Sequence, residues 1–356
     1  MCRFMIYKGR ESMVLSDLLT KPAHSIINQS FDSRLRLDMR NPINGDGFGV
    51  GYYSSYDSPG IFRAITPAWN NVNLNNLSKC TESRLVFGHV RASTQGVLSE
   101  SNCHPFSYGR LMFMHNGGIS AFGKMKKKLI NSLEDKFFLM LEGSTDSECC
   151  FALFLNTLYK KGYDPEDESV KFTHHIIKEA LLVTIELLKT WQKELSDEPS
   201  LMNFAVTDGE SVVVSRYITS KTDEAASLYF SAGSKFFEYK PGLFKMERMN
   251  RSQDVIFVAS EPLTFERGDW ICVPTNTVLT ITQSNTVLMH PIEDEFYDGG
   301  AIERSSGLAM SKGLIGGVPT KNNDSIPADF TISEVQPLSE VPPLQREGRK
   351  SVAEVA

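Results

Sequence analysis

The sequence predicts an α+β fold in which two mainly antiparallel sheets carry helices on their outer faces. Three observations predict it. Strand-like runs open the chain, helical stretches fill its middle and short strands return after Asn203, an order that suits layered sheets with helices gathered on their faces. Phe172 to Leu195 places Ile177, Leu181, Thr184, Leu188, Trp191 and Leu195 at alternating four- and three-residue steps, so one helix face must cover a sheet. The later strands are short and divided by turn signals such as Asp208-Gly209, as in antiparallel pairing. One domain is expected over residues 1–297. Residues 298–356 turn to Gly, Ser, Lys, Pro and charge without a period, so a polar, loosely ordered tail is expected there.

Taken in order, Met1-Cys2-Arg3-Phe4-Met5-Ile6-Tyr7 is an apolar, strand-like run with a thiol one residue from the start. Loss of Met1 would leave Cys2 with a thiol and a free α-amine on one carbon. With a reference pKa of about 7.7–8.0, that amine can take the thiol's proton at neutral pH, so one residue holds both nucleophile and base. Val14 to Thr20 makes one or two helical turns before Pro22, and residues 23–44 are polar loop. The glycines of Asn44-Gly45-Asp46-Gly47-Phe48-Gly49-Val50-Gly51 are preceded by a loop and followed by a strand, the reverse of a dinucleotide cradle. They permit a tight turn and close backbone approach beside a site.

Ile61 to Thr66 is a strand, and Arg84 to Arg91 a second, buried one. Arg91 at its exit is placed to grip a carboxylate through two N–H groups, or is a surface arginine. Leu111 to Met114 runs into His115-Asn116-Gly117-Gly118, with a helix expected from Ile119. Asn116-Gly117 reads either as a turn or as an amide and a backbone N–H aimed at one spot, an oxyanion hole for acyl transfer. Thr145-x-x-Glu148 is a capping box ahead of an apolar helix, and Asp146 in that first turn could aim its carboxylate at a ligand ammonium. Strands then follow over Phe204–Thr207, Val212–Tyr217, Leu228–Ala232, Val255–Ala259, Trp270–Val273, Thr277–Thr282 and Val287–His290. Pro262 of Ser260-Glu261-Pro262-Leu263 closes one of them.

The 356 residues carry a net charge of −6, which supplies no footprint for nucleic acid or an anionic membrane. Arg3, Lys8, Arg10 and Glu11 interrupt any signal peptide, and no run approaches the ~20 apolar residues of a membrane span, so a cytoplasmic protein is expected. Six cysteines without a Cys-x-x-Cys pair read as free thiols rather than a disulfide framework or zinc ribbon. His174 and His175 are adjacent and face different directions. His89, His104 and His115 lack a metal-binding spacing, and Cys103-His104 are chain neighbours that point to opposite faces. No metal and no cofactor is expected.

Cys2 at the start, Arg91 at a strand exit, Asn116-Gly117 after an apolar strand and Asp146 ahead of a helix resemble, in order and spacing, the glutaminase domain of the class II glutamine amidotransferases. These are N-terminal nucleophile hydrolases with a four-layer αββα sandwich. The resemblance implies Cys2 as nucleophile with its own amine as base, and Asn116 with Gly117 as oxyanion donors. It implies Arg91 on the substrate α-carboxylate and Asp146 on its α-ammonium. Gln95 departs from the histidine that many synthetase-linked members carry. No phosphoribosyl-pyrophosphate loop, sugar-isomerase domain or pyrophosphatase loop follows residue 290.

Cys2-Arg3-Phe4, Asn44 to Gly49, His89 to Thr94, Asn102-Cys103-His104-Pro105-Phe106 and Ser260 to Leu263 are similar to the stand-alone subgroup that includes the amidotransferase-like subunit of the fungal glutathione-degradation complex. That implies a γ-glutamyl amide hydrolase acting on glutathione and a partner with WD repeats and a metallopeptidase-like domain. A glutaminase feeding ammonia to a separate synthase, and a catalytically silent scaffold or sensor, are the alternatives.

Overall fold

The computed structural model describes residues 2–32, 43–92, 97–249, 253–299 and 303–315. Strand β1 (Arg3–Val14) outlasts the apolar run that starts it. Helices α1 (Leu15–Leu19) and α2 (Ile26–Gln29) follow, the second inside the stretch read as loop and capped by Ser25. Next come β2 (Phe48–Tyr52), β3 (Gly60–Ala64), α3 (Val72–Cys80), β4 (Glu82–Val90), β5 (Phe106–Tyr108) and β6 (Leu111–Gly118). The middle holds α4 (Phe122–Asn131), α5 (Asp135–Leu139), α6 (Asp146–Lys160) and α7 (His174–Lys193). Strands return as β7 (Leu201–Thr207), β8 (Val212–Arg216) and β9 (Tyr229–Gly233), then a hairpin of β10 (Lys235–Lys240) and β11 (Leu243–Glu247). The chain continues through β12 (Val255–Ala259), β13 (Ile271–Cys272), β14 (Thr277–Ile281), β15 (Val287–Pro291) and α8 (Gly307–Ser311).

Two antiparallel sheets form, ordered β13-β9-β12-β1-β4-β2-β3 and β15-β14-β8-β7-β6-β5. The late strands divide between them, so β12 returns from the far end of the sequence to lie beside β1. Side-chain alternation then builds the layers. Met5 and Tyr7 of β1 face α1–α3 with Leu15, Leu18 and Leu74. Phe4 and Ile6 face the other sheet, meeting Met112 and Met114 of β6 with Val212 and Val214 of β8. Leu111 and Phe113 turn outward to Phe151 of α6 and Leu181 of α7. Helices, sheet, sheet and helices therefore stack as an αββα sandwich. Each fully buried Leu or Phe side chain contributes roughly 1.5–3 kcal/mol, which makes three such cores a stiff base for what sits at the strand ends.

Beyond residue 297, Ala309, Leu314 and Ile315 are buried against Leu201, Ile218, Ala225 and Ala226, and the Ser227 N–H donates to the Leu314 carbonyl at 2.9 Å. Among the described residues no helix is long and apolar enough to cross a membrane.

Candidate active site

The same alternation that buries Phe4 and Ile6 between the sheets sends Cys2 to that side, and the one that buries Met112 and Met114 sends Asn116 there. Ser260 joins the two strands that carry them, accepting from the Phe4 N–H and from the Asn116 amide. Cys2 is half-buried and its thiol donates to the Ala92 carbonyl at 3.7 Å. Burial pushes the thiol pKa above its ordinary value; Arg91 opposes that rise and Asp146 adds to it, so both charges lie within electrostatic reach of the sulfur. A thiol kept protonated needs a base before it can attack a carbonyl.

Arg91 follows β4 and is buried. Its N–H donates to the Gly47 carbonyl at 2.8 Å, its carbonyl accepts from the Asp46 N–H at 3.1 Å, and its guanidinium Nη1 reaches the Asp46 carbonyl at 3.4 Å. The glycine run is therefore the brace for this arginine. Gly47 has φ +117°, and a Cβ there would sit 2.6 Å from the Cys103 sulfur and 2.9 Å from the Ala64 carbonyl oxygen. Only glycine fits. Ser93, Thr94, Gln95 and Gly96 lie outside the described residues, the departure at Gln95 among them.

Asn116-Gly117 does not form the turn that one of its two readings holds. β6 runs on to Gly118, with Asn116 opposite Asn203 and Gly117 opposite Met202 of β7, and the helix begins only at Phe122. Ladder bonds to β7 outcompete the turn preference of Asn-Gly because the neighbouring strand is already in place. A Cβ on Gly117 would lie 1.9 Å from the Leu201 carbonyl oxygen. Asn116 is buried, and its amide nitrogen donates to the Ser260 hydroxyl at 3.1 Å.

Asp146 opens α6 behind this strand end. Its Oδ2 accepts from the Ile119 N–H at 2.9 Å, while Oδ1 accepts from the Ser147 N–H at 2.8 Å. Two carboxylate oxygens offer about four lone-pair sites, so capacity for a ligand ammonium is left. Thr145 caps the helix, accepting from the Glu148 N–H. Glu148 does not close the expected box; it reaches back to the Glu142 and Gly143 N–H groups instead. Asn102 ties the same loop down by accepting from the Ser144 N–H at 2.8 Å and donating to the Val97 carbonyl at 2.9 Å.

Sequence reading missed a second set, around Ser260 and Glu261. The Ser260 hydroxyl accepts from the Phe4 N–H at 3.1 Å, and the Arg3 guanidinium forms a buried ion pair with Glu261. His24 Nε2 lies 3.8 Å from the other Glu261 oxygen, and its Nδ1 bonds the Pro262 carbonyl at 2.6 Å. Such a pair adds little net stability, but removing one partner costs about 3–5 kcal/mol. Its contribution is to pin the start of β1, and with it Cys2. Ser260-Glu261-Pro262-Leu263 is the available signal: it marks a strand stop and a subgroup resemblance, and neither assigns these side chains a contact.

The three central histidines gather beneath the site. His89 and His104 rings lie 4.1 Å apart, while His115 bonds the Ser147 hydroxyl and the Leu201 carbonyl, each at 2.9 Å. Among the described residues no cluster of three or more His, Cys, Asp or Glu is placed to hold a metal. Burial holds His89 near a pKa of about 3 and lowers His24, His104 and His115 as well. Below pH ~6.5 the unfolded chain takes up protons that the folded chain refuses, so stability falls from about 6.5 towards 3. His89 alone should cost about 2 kcal/mol at pH 5 relative to pH 7.5. Urea midpoints at the two values check this, and a midpoint independent of pH would contradict it.

The family model described as "Glutamine amidotransferases class-II" matches residues 15–295. The chain is 59% identical over 360 residues to the Saccharomyces cerevisiae protein named "Probable glutamine amidotransferase DUG3", covering 98% of this chain and 97% of that one. It is 26% identical over 165 residues to the "Gamma-glutamyl-hercynylcysteine sulfoxide hydrolase" of Mycolicibacterium smegmatis, covering 46% of this chain and 65% of the relative. A solved glutamine aminotransferase class-II domain protein from Silicibacter pomeroyi superposes with a TM-score of 0.56 at 23% identity, over 82% of this chain and 100% of that one, and so shares the fold. By family model and by full-length identity, the chain belongs to the class II glutamine amidotransferases.

Proposed function

We propose that the chain hydrolyses γ-glutamyl amides through Cys2 and works as a subunit of a complex that cleaves the γ-glutamyl bond of glutathione. The observation that carries the reading is a half-buried thiol that feels both a cation, Arg91, and an anion, Asp146. A γ-glutamyl group is a zwitterion at one end and an amide at the other, so one cation, one anion and one nucleophile describe it. In this reading Arg91 pairs with the α-carboxylate and Asp146 with the α-ammonium. The Cys2 amine takes the thiol proton, and sulfur attacks the γ-carbonyl. The Asn116 amide and the Gly117 N–H carry the tetrahedral oxyanion. The departing amine takes a proton, leaving a γ-glutamyl thioester that water hydrolyses to glutamate. No cofactor or metal enters these steps.

Glutamine and glutathione share this acyl group and differ only in the amine that leaves. One relative carries glutamine in its name and another a γ-glutamyl sulfoxide, which supports a site built for the acyl half. We place the chain in the cytoplasm, in keeping with its free cysteines, beside a partner bearing WD repeats and a metallopeptidase-like domain. Glutamate release is to be measured with glutathione and with glutamine, with and without that partner. Glutathione turnover that rises with the partner supports the proposal. Glutamine turnover that rises only with a separate synthase favours ammonia supply, and turnover of neither substrate overturns hydrolysis.

A further inference from the structure

We infer that Ser260 is a positioning residue for catalysis, the group that sets the Asn116 amide at its working distance from Cys2. This rests on the reading of Asn116 as an oxyanion donor. The Ser260 hydroxyl oxygen stands between the two halves of the site. It accepts from the Phe4 N–H at 3.1 Å, two residues along β1 from Cys2, and from the Asn116 Nδ2–H at 3.1 Å, on the end of β6 in the other sheet. The Ser260 backbone grips the same point, its N–H donating to the Phe4 carbonyl at 3.0 Å. Its carbonyl accepts from the Ser227 hydroxyl at 2.8 Å. Ser260 is therefore fixed by three bonds to the first sheet and its surroundings, and it passes that position to the second sheet through one bond to Asn116.

Hydroxyl chemistry makes the link directional. A serine oxygen has two acceptor lone pairs, and Phe4 and Asn116 occupy both. With one Asn116 N–H so anchored, the amide cannot turn, its oxygen has no hydrogen-bond partner among the described residues, and the second N–H of the same nitrogen is held in a fixed direction. An oxyanion donor is worth most when it needs no reorganisation as charge develops. Without the hydroxyl, a buried amide whose oxygen is already unpartnered can rotate and present that oxygen to the developing negative charge. The ground state would be little altered and the transition state would lose a donor.

The measurement is the rate at which a diazoketone analogue of glutamine labels Cys2 in the full chain, followed by intact mass. The Cys2 sulfur forms a carbon–sulfur bond, dinitrogen leaves and the carbon takes up the thiol proton, so turnover and partner are not needed. Ser260→Ala is expected to lower the limiting labelling rate about 10–30-fold, short of the 10²–10³-fold loss of a whole donor. The half-saturating concentration should stay within about twofold, because Arg91 and Asp146 are untouched. Ser260→Thr, which keeps the oxygen, should restore most of the rate, and Ser260→Cys serves in place of alanine if that variant does not fold.

In an Asn116→Ala background, Ser260→Ala should cost less than about twofold more. An equal loss in both backgrounds, or a loss confined to the half-saturating concentration, overturns the positioning role while leaving Asn116 as donor. An Asn116→Ala protein that labels at the parent rate overturns the reading of Asn116 itself.

Discussion

Cys2→Ala should abolish release of glutamate from γ-glutamyl substrates, a loss of about 10⁴-fold or more, since removing a nucleophile leaves only what binding and the oxyanion donors supply. Stability should change by less than ~1 kcal/mol, because the side chain is small, half-buried and held by one long contact to the Ala92 carbonyl. A companion protein that keeps residues ahead of Cys2 leaves the thiol in place and removes its α-amine. It should lose about 10²–10³-fold, the usual range for a general base. Burial raises the pKa of this thiol, so removing a base beside it should slow attack. Turnover by Cys2→Ala within a few fold of the parent would remove the mechanism.

Asp146→Asn should raise KM sharply and lower kcat/KM by about 10²–10³-fold, as expected when one partner of a desolvated charge pair is removed. Asparagine keeps an oxygen for the Ile119 N–H that Asp146 now accepts but turns an NH2 towards the Ser147 N–H, so one helix-terminal hydrogen bond is lost along with the charge. Substrate truncation gives the matching arm. The parent enzyme should discriminate against a glutamine analogue lacking the α-ammonium by a similar factor, and Asp146→Asn should hardly discriminate. Discrimination preserved in the variant would mean that the ammonium is held elsewhere.

Local rules made the layers legible. Alternation in β1 separates Phe4 and Ile6 from Met5 and Tyr7, and each pair enters a different core. The apolar stripe of α7 buries Ile177, Leu181, Thr184, Leu188 and Trp191 as its spacing requires, and Thr145 caps α6. Helix α3 escaped because it buries only Leu74 and Ser78, too little to leave a periodic signal. The hairpin β10–β11 pairs with itself outside both large sheets, and no strand is expected there from the sequence.

Site geometry was less legible for a different reason. Cys2, Arg91, Asn116, Gly117 and Asp146 stand at element ends, where residue type carries information about exposed chemistry. What joins them does not. The Phe4–Ser260 bond spans 256 residues and the Asn116–Ser260 bond 144, and the Arg3–Glu261 pair is equally remote in sequence. No spacing rule reaches that far. The division of the late strands between two sheets, which brings β12 beside β1, decides these contacts, and it follows from global layer formation rather than from any one segment.

The most direct test of the account is an intact mass of the full chain, alone and after brief incubation with the diazoketone analogue of glutamine. The account predicts a chain that has lost Met1 and carries one adduct, mapped to Cys2, with glutamine or glutathione in excess slowing its formation. A chain that retains Met1, or an adduct confined to Cys80 or Cys272, the exposed thiols, would contradict it.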